Sequence, residues 1–220
     1  MRREMKLGRV SPRSGHVKSA VLFLHGYGAD GDDLLGLAEP LAPHLPDTLF
    51  LAPDAPEECI TNPFGRQWFP IPWLDGSSPE DAAAGLAQSA RDLDALIDKI
   101  LAEEGLTPAQ LAVVGFSQGT MMALHVLPRR AEPVAGIVGF SGRLLNPEAL
   151  ASEAVSKLPV LLLHGNIDQI VPFSDLKKAT DALLAAGFPT DAQVMEGTGH
   201  GISPQGLGVA LSFLADHLPG

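Results

Sequence analysis

The sequence predicts an α/β fold with a mostly parallel sheet flanked by helices. Short apolar runs alternate with helical patterns from one end of the chain to the other, the order expected of parallel strands joined by crossover helices. The runs are continuously apolar, whereas a sheet with one wet face would alternate. A length of 220 residues suits a single domain over 1–220 with a substantial core.

Met5 to Val17 offers one or two N-terminal strands. Ala20-Val21-Leu22-Phe23-Leu24 is a buried strand, and Thr48-Leu49-Phe50-Leu51-Ala52 is a second. Pro53 to Pro79 has no clear period, is rich in proline, and holds Phe64, Trp68, Phe69 and Trp73. A connection this long is functional or disordered, and its large aromatics argue for order. It reads either as a wall of a substrate pocket or as a plug sealing one edge of the sheet. Ser78-Pro79-Glu80-Asp81 then supplies an N-cap, a proline at the first helical position and an acidic residue three after the cap. Leu86, Ala90, Leu93, Ile97 and Ile100 recur at helical spacing until Gly105 ends the run. Leu111 to Val114 is a strand, Ser117 to Leu127 a helix stopped by Pro128, and Val134 to Phe140 and Val160 to Leu163 are further strands. Phe173 to Ala186 is a helix ended by Gly187, and Asp191 to Met195 is a more polar edge strand. Ser203-Pro204 opens a last helix with Leu207, Leu211, Leu214 and Leu218 on one face.

Composition narrows the class. Apolar residues make up 45% of the chain and the formal net charge is -11. An acidic surface is repelled by nucleic acid and by anionic membranes, so neither is an expected partner. No apolar run approaches the roughly 20 residues that span a bilayer, so stable membrane insertion is not expected. Met1-Arg2-Arg3-Glu4-Met5-Lys6 has no apolar h-region behind it, so no secretory signal is expected. The single cysteine, Cys59, rules out an internal disulfide and reads as a spectator. Together these features point to a reducing, cytoplasmic setting. No two His or Cys residues fall at ligand spacing, so no metal is expected.

The chemistry is concentrated after the strand Leu111 to Val114. There the chain reads Gly115-Phe116-Ser117-Gln118-Gly119, and a helix follows at once. Strand, sharp turn and helix make a nucleophile elbow, which holds the Ser117 hydroxyl above the end of the sheet. Gly115 and Gly119 let neighbouring backbone pass close by. The new helix aims free N–H groups and the positive end of its dipole at the site.

A serine hydroxyl needs a base within hydrogen-bond reach and a third group to orient that base. In this arrangement the acid and then the histidine follow the serine, each on a loop after a later strand. His125 lies inside the helix that Ser117 opens, His164 packs or hydrogen-bonds locally at a strand end, and His217 sits in the last helical turn. His200, in Glu196-Gly197-Thr198-Gly199-His200-Gly201, has a Gly-rich loop able to carry it over the elbow. Asp168, just beyond the strand Val160 to Leu163, is the acid; Asp175 and Asp181 read as solvated charges on the next helix. The oxyanion hole needs two backbone N–H donors: Gln118, after the nucleophile, and Tyr27 in His25-Gly26-Tyr27-Gly28 after the first parallel strand. His25 braces that loop.

These segments together resemble the carboxylesterase / acyl-protein thioesterase / lysophospholipase family of α/β-hydrolases. Leu-His-Gly-Tyr-Gly-Ala-Asp is similar to its first signature, Gly-Phe-Ser-Gln-Gly to its elbow, His-Gly-Asn-Ile-Asp-Gln-Ile-Val-Pro to its acid loop and Gly-Thr-Gly-His to its histidine loop. Phe140-Ser141-Gly142-Arg143-Leu144 is similar to a segment that shapes the acyl pocket there. The resemblance runs from about Ser19 to the C-terminus. It implies an α/β-hydrolase fold, an EC 3.1.1 carboxylesterase activity on small ester or thioester substrates, no metal or organic cofactor, and often a homodimer. A lysophospholipase or acyl-protein thioesterase role is an alternative physiological assignment. The pocket expected from the aromatic loop and from the resemblance comprises Trp68, Phe69, Trp73, Ser141, Leu144 and Val171. Two positions depart from the family pattern. Thr120 stands where glycine is common, and its β-branch affects packing on a neighbouring strand. Tyr27 stands where leucine is frequent, and its ring could narrow the acyl site. A ligand-binding protein on an inactive scaffold is the competing class, but it usually requires loss of a triad member. A lactone hydrolase would typically carry cysteine in place of Ser117.

Mobile cap domains are commonly inserted between the strand after the elbow helix and the next one. Here that interval runs from Ser141 to Pro159 and has room for one short helix near Pro147 to Ser156. No cap domain is expected, so the site should be open, prefer soluble short or medium acyl chains, and show no interfacial activation. The check is rate against triglyceride concentration across the solubility limit. A smooth curve is expected, and a sharp rise at the onset of an emulsion would reveal a lid.

Overall fold

Which side chains point to which face of the sheet follows from the strand period of two, and here both faces are covered. The computed structural model describes residues 3–219; positions 1, 2 and 220 of the domain expected over 1–220 lie outside the described residues. Strands β1 (Leu7–Val10) and β2 (Ser19–Leu24) come first, and short helices α1 (Gly31–Leu35) and α2 (Ala38–Leu41) lead to β3 (Thr48–Pro53). The long connection is ordered: it holds a small hairpin, β4 (Glu57–Glu58) and β5 (Arg66–Gln67), and helix α3 (Pro72–Asp75). Then follow α4 (Pro79–Glu104), β6 (Leu111–Phe116), α5 (Gln118–Val126), β7 (Gly136–Phe140) and α6 (Pro147–Glu153). The chain continues through β8 (Val160–Gly165), α7 (Ser174–Ala185), β9 (Thr190–Met195) and α8 (Pro204–His217).

The main sheet has seven strands in the order β1-β3-β2-β6-β7-β8-β9. Only β1 runs antiparallel, against β3. Val21, Phe23, Phe50, Val114, Val138 and Leu161 face α1, α2 and α8, while Leu22, Leu49, Val113, Ile137 and Leu162 face α4, α5 and α7. Two cores on one sheet explain why the strands read as unbroken apolar runs. The helix ends read from sequence are present: Ser78 Oγ accepts the Asp81 N–H at 3.0 Å, and Gly105 takes the left-handed conformation after α4. The N-terminal stretch supplies one strand, β1.

The register sets the functional end. Leu24 lies beside Gly115, Phe116 beside Phe140, Phe140 beside Leu163, and Gly165 beside Met195. The carboxyl ends of β2, β6, β7, β8 and β9 are therefore level, and the loops leaving them converge, as expected for open α/β sheets. Between β7 and β8 the chain carries α6 alone, so no cap covers that end.

Packing at the junction of β6 and α5 is extreme. A Cβ on Gly119 would fall on the Leu24 carbonyl, and one on Gly115 would lie 2.5 Å from the Thr120 nitrogen. Thr120 fits because Gly139 and Gly142 leave a notch: a Cβ on Gly139 would stand 2.6 Å from its Cγ2. Its hydroxyl donates to the Phe140 carbonyl at 2.9 Å. The β-branch in the first turn is thus accommodated by missing side chains on β7 and the turn after it.

Gly119→Ala should cost about 3 kcal/mol or more, because the obstructing atom is backbone carbonyl rather than a side chain that can turn away. Gly208→Ala, in α8 with open space around it, should gain about 0.5–1 kcal/mol from helix propensity. Urea midpoints of the two variants should move in opposite directions. A Gly119→Ala midpoint equal to wild type would contradict the packing described.

Candidate active site

Ser117 occupies the turn between β6 and α5 with φ 54° and ψ -113°, a region few non-glycine residues visit. Its N–H donates to the Phe140 carbonyl at 2.9 Å, which ties the turn to β7. Its side chain makes no cap to its own helix and lies 3.0 Å from His200 Nε2. Ser117 retains 7% exposure, so the hydroxyl sits at the floor of the open end.

His200 arrives on the loop after β9. Gly165 makes this possible, because a Cβ there would collide with the Thr198 and Gly199 carbonyls. Asn166 Oδ1 accepts the Gly197 N–H at 2.8 Å, and the Ile167 N–H reaches the Thr198 carbonyl at 3.2 Å, stitching the acid and histidine loops together. The Phe116 ring packs 4.9 Å from the imidazole centroid. His200 Nδ1 stands 2.8 Å from Asp168 Oδ2. An ionised carboxylate only accepts, so the Nδ1 nitrogen carries the hydrogen and Nε2 is left to accept from the Ser117 hydroxyl.

Asp168 Oδ1 accepts the N–H groups of Ile170 at 2.8 Å and Val171 at 3.0 Å. Burial alone would raise its pKa. The bonds from His200, Ile170 and Val171 outweigh that and hold the carboxyl below the usual carboxylate range.

The loop after β2 lies against the elbow: a Cβ on Gly26 would touch the Ser117 Cβ at 3.3 Å. The N–H of Gln118 is the first of α5 and has no acceptor within its helix. His25 is fully buried and braces this loop, as expected. Its Nδ1 meets the Gly26 carbonyl at 2.8 Å, and its Nε2 accepts the Ala55 N–H at 2.9 Å. These partners require the neutral Nδ1–H tautomer, and burial pushes the His25 pKa down.

The aromatic loop divides into buried and exposed side chains. Trp68 is a plug: it is fully buried, and its indole N–H donates to the His25 carbonyl at 3.0 Å. Phe69 is buried beside it. Neither forms an exposed wall as expected, because the Gln118 amide draws this strand of loop inward. Gln118 Oε1 accepts the Trp68 N–H at 2.9 Å, and its Nε2 donates to the Phe69 carbonyl at 2.7 Å. Trp73 is 60% exposed, with the Arg143 guanidinium 5.1 Å from its ring centroid. Ser141 is buried with φ 47°, and its N–H is taken by the Leu163 carbonyl, so it also lines no open surface. Val171 is buried under Asp168. Leu144 lines a cleft of about 310 Å³ with Arg143, Pro147, Pro172 and Asp175.

One further expectation changes. Asp175 is buried rather than solvated, because Arg143 at 2.7 Å and Lys178 at 3.0 Å compensate its charge. The Tyr27 ring is drawn to α3, where its hydroxyl donates to Asp75 Oδ2 at 3.1 Å. Cys59 is buried with its thiol 3.6 Å from the Thr61 hydroxyl. The sequence marks Gln118 as a backbone donor at the elbow, and the structure adds a second role for its side chain. Its signal is a glutamine that is fully buried between apolar segments.

Residues 6–218 match the model of the phospholipase/carboxylesterase family. The chain is 27% identical over 207 residues to an acyl-protein thioesterase 1 homologue of Dictyostelium discoideum, covering 91% of each. Among solved structures, esterase PE8 aligns with a TM-score of 0.92 at 40% identity, over 98% of this chain and 100% of that one. Acyl-protein thioesterase 2 of Zea mays aligns with a TM-score of 0.79 at 27% identity, over 97% and 99%.

Tyr27→Phe should lose the bond to Asp75 and about 0.5–1.5 kcal/mol of stability, while kcat/KM for a p-nitrophenyl ester stays within about threefold. A fall of 100-fold would mean that the phenol, rather than the backbone, meets the substrate.

Proposed function

The chain belongs to the phospholipase/carboxylesterase family and is a hydrolase of the carboxylic-ester type, and from that premise we propose that Ser117, His200 and Asp168 cleave esters and thioesters through an acyl-enzyme. One observation carries the reading: Asp168 Oδ2, His200 and Ser117 Oγ form an unbroken relay with spacings of 2.8 and 3.0 Å. Ser117 Oγ attacks the acyl carbon while His200 Nε2 takes its proton. Asp168 stays ionised, fixes the imidazole tautomer and stabilises the imidazolium. The developing oxyanion is held by the N–H groups of Tyr27 and Gln118 and by the positive end of α5. Losing one such donor costs about 10²–10³ in rate, so the pair is a larger lever than any single pocket contact. His200 then protonates the departing alkoxide or thiolate, and water enters from the open face to release the acid, with His200 again as base.

The substrate class follows from the cover. The sheet end carries no cap, and the expected pocket side chains are mostly turned inward. Soluble esters and thioesters of short to medium acyl chains fit this site, and the names of relatives that are thioesterases support the thioester arm. A single α/β-hydrolase domain working as a cytoplasmic homodimer completes the proposal. The lone buried Cys59, the acidic charge and the family resemblance support it. No helix among the described residues is long and apolar enough to cross a membrane.

Ser117→Ala removes one hydroxyl and should abolish hydrolysis while changing the unfolding free energy by no more than about 0.5 kcal/mol. A fluorophosphonate probe should label Ser117 alone in the wild type; labelling at Ser141, or retained turnover in the alanine variant, would overturn the assignment. Asp168→Asn should lower kcat on the order of 10⁴ by favouring the wrong tautomer. If Asp175→Asn were the damaging change and Asp168→Asn mild, the acid would be misassigned.

A further inference from the structure

His164 is the penultimate residue of β8 and is buried, with its side chain 1% exposed. Its Nε2 lies 3.0 Å from the Val171 carbonyl and 3.3 Å from Asp168 Oδ2. A carbonyl oxygen only accepts, so this nitrogen carries a hydrogen, which it donates to the Val171 carbonyl while the nitrogen stands against the carboxylate. The Phe173 ring stands edge-on beside the imidazole at 6.1 Å and limits its rotation.

The acid loop has little packing of its own. Ile167 and Ile170, on either side of Asp168, are 58% and 57% exposed. What holds the carboxylate is a set of donors, Ile170 N–H and Val171 N–H on Oδ1 and His200 on Oδ2, while the His164 N–H holds the Val171 carbonyl directly below. His164 is hydrogen-bonded to the loop at the Val171 carbonyl, and its Nε2 stands 3.3 Å from the carboxylate at the loop's other end. We propose that His164 is a positioning residue for Asp168, an imidazole beneath the carboxylate that holds Val171, whose own N–H is on Asp168 Oδ1, and so keeps the carboxylate turned toward His200. The proposal rests on the reading of Ser117, His200 and Asp168 as the catalytic relay. Its chemistry requires no proton transfer by His164, only a hydrogen at Nε2.

The test compares variants that keep or lose a donor at that point. His164→Phe keeps ring size and removes the donor; kcat for a p-nitrophenyl ester should fall about 3–10-fold, the range for losing a hydrogen bond to a neutral carbonyl, with KM within about twofold. His164→Gln can bring an amide N–H to the Nε2 position and should recover most of that loss. His164→Asn, whose shorter amide falls back toward Nδ1, should not. The low-field proton resonance of the His200 Nδ1–H should move or broaden in the Phe and Asn variants and return in Gln. If His164→Phe fails to fold, the Gln against Asn comparison decides the matter alone. Equal kcat in Gln and Asn, or kcat within twofold of wild type in Phe, would overturn the proposal. Fluorophosphonate labelling of wild-type Ser117 separates the two levels. Labelled Ser117 with an indifferent His164 defeats only this proposal, whereas unlabelled Ser117 defeats the relay itself.

Discussion

The backbone of Ser117 is held where a side chain is normally excluded, and the rest of the site is arranged around keeping it there. A non-glycine residue at positive φ costs of order 1–3 kcal/mol. Against this stand the bond from Ser117 N–H to Phe140, the bond from the Thr120 hydroxyl to the same carbonyl, and two bonds from the Gln118 amide. At about 1 kcal/mol net for each, these are enough to offset the strain. Geometry supplies the remainder: α5 packs so close to β2 that only glycine fits at 119, so the elbow cannot relax without moving two strands.

From that fixed point the neighbouring loops take their places in turn. The Gln118 amide captures the backbone of Trp68 and Phe69, Trp68 hydrogen-bonds His25, and His25 holds the loop that bears Tyr27. The Trp68 carbonyl is in turn gripped by Ser89 of α4, and Ser89 meets Arg3, whose guanidinium also covers the buried carboxylate of Asp92. On the other side of the elbow, Gly165 lets the histidine loop rest on the acid loop, and Asn166 and Ile167 lace the two together. Both halves of the proposed chemistry, the donors for the oxyanion and the relay to the hydroxyl, thus depend on buried polar contacts at one end of the sheet. Such networks are rigid when every member is satisfied and costly when one is removed.

Much of this was legible in the sequence because it depends on local rules. Continuous apolar runs gave the parallel strands, the Ser78 and Gly105 caps gave the ends of the longest helix, and the glycines around Ser117 gave the elbow. Ser117, Asp168 and His200 could be chosen together because each lies just past a strand, and the register brings those strand ends level. What could not be read depends on partners far along the chain. Trp68 turns inward because of a glutamine 50 residues later, and Asp175 is buried because Arg143 reaches it from another loop. The α1 and α2 segments are too short to show a helical period. His164 reads as packing or hydrogen-bonding locally, and it does, but sequence order does not reveal that its partner is the Val171 carbonyl beneath the Asp168 carboxylate.

The central claim is that acyl transfer passes through Ser117. The direct measurement is mass spectrometry of enzyme quenched in acid during turnover of a p-nitrophenyl ester, alongside the released p-nitrophenol in the first turnover. The account predicts one acyl group per chain on the peptide that carries Ser117, formed together with the first equivalent of p-nitrophenol. Sustained turnover with no acyl adduct, or an adduct on any other residue, would contradict it.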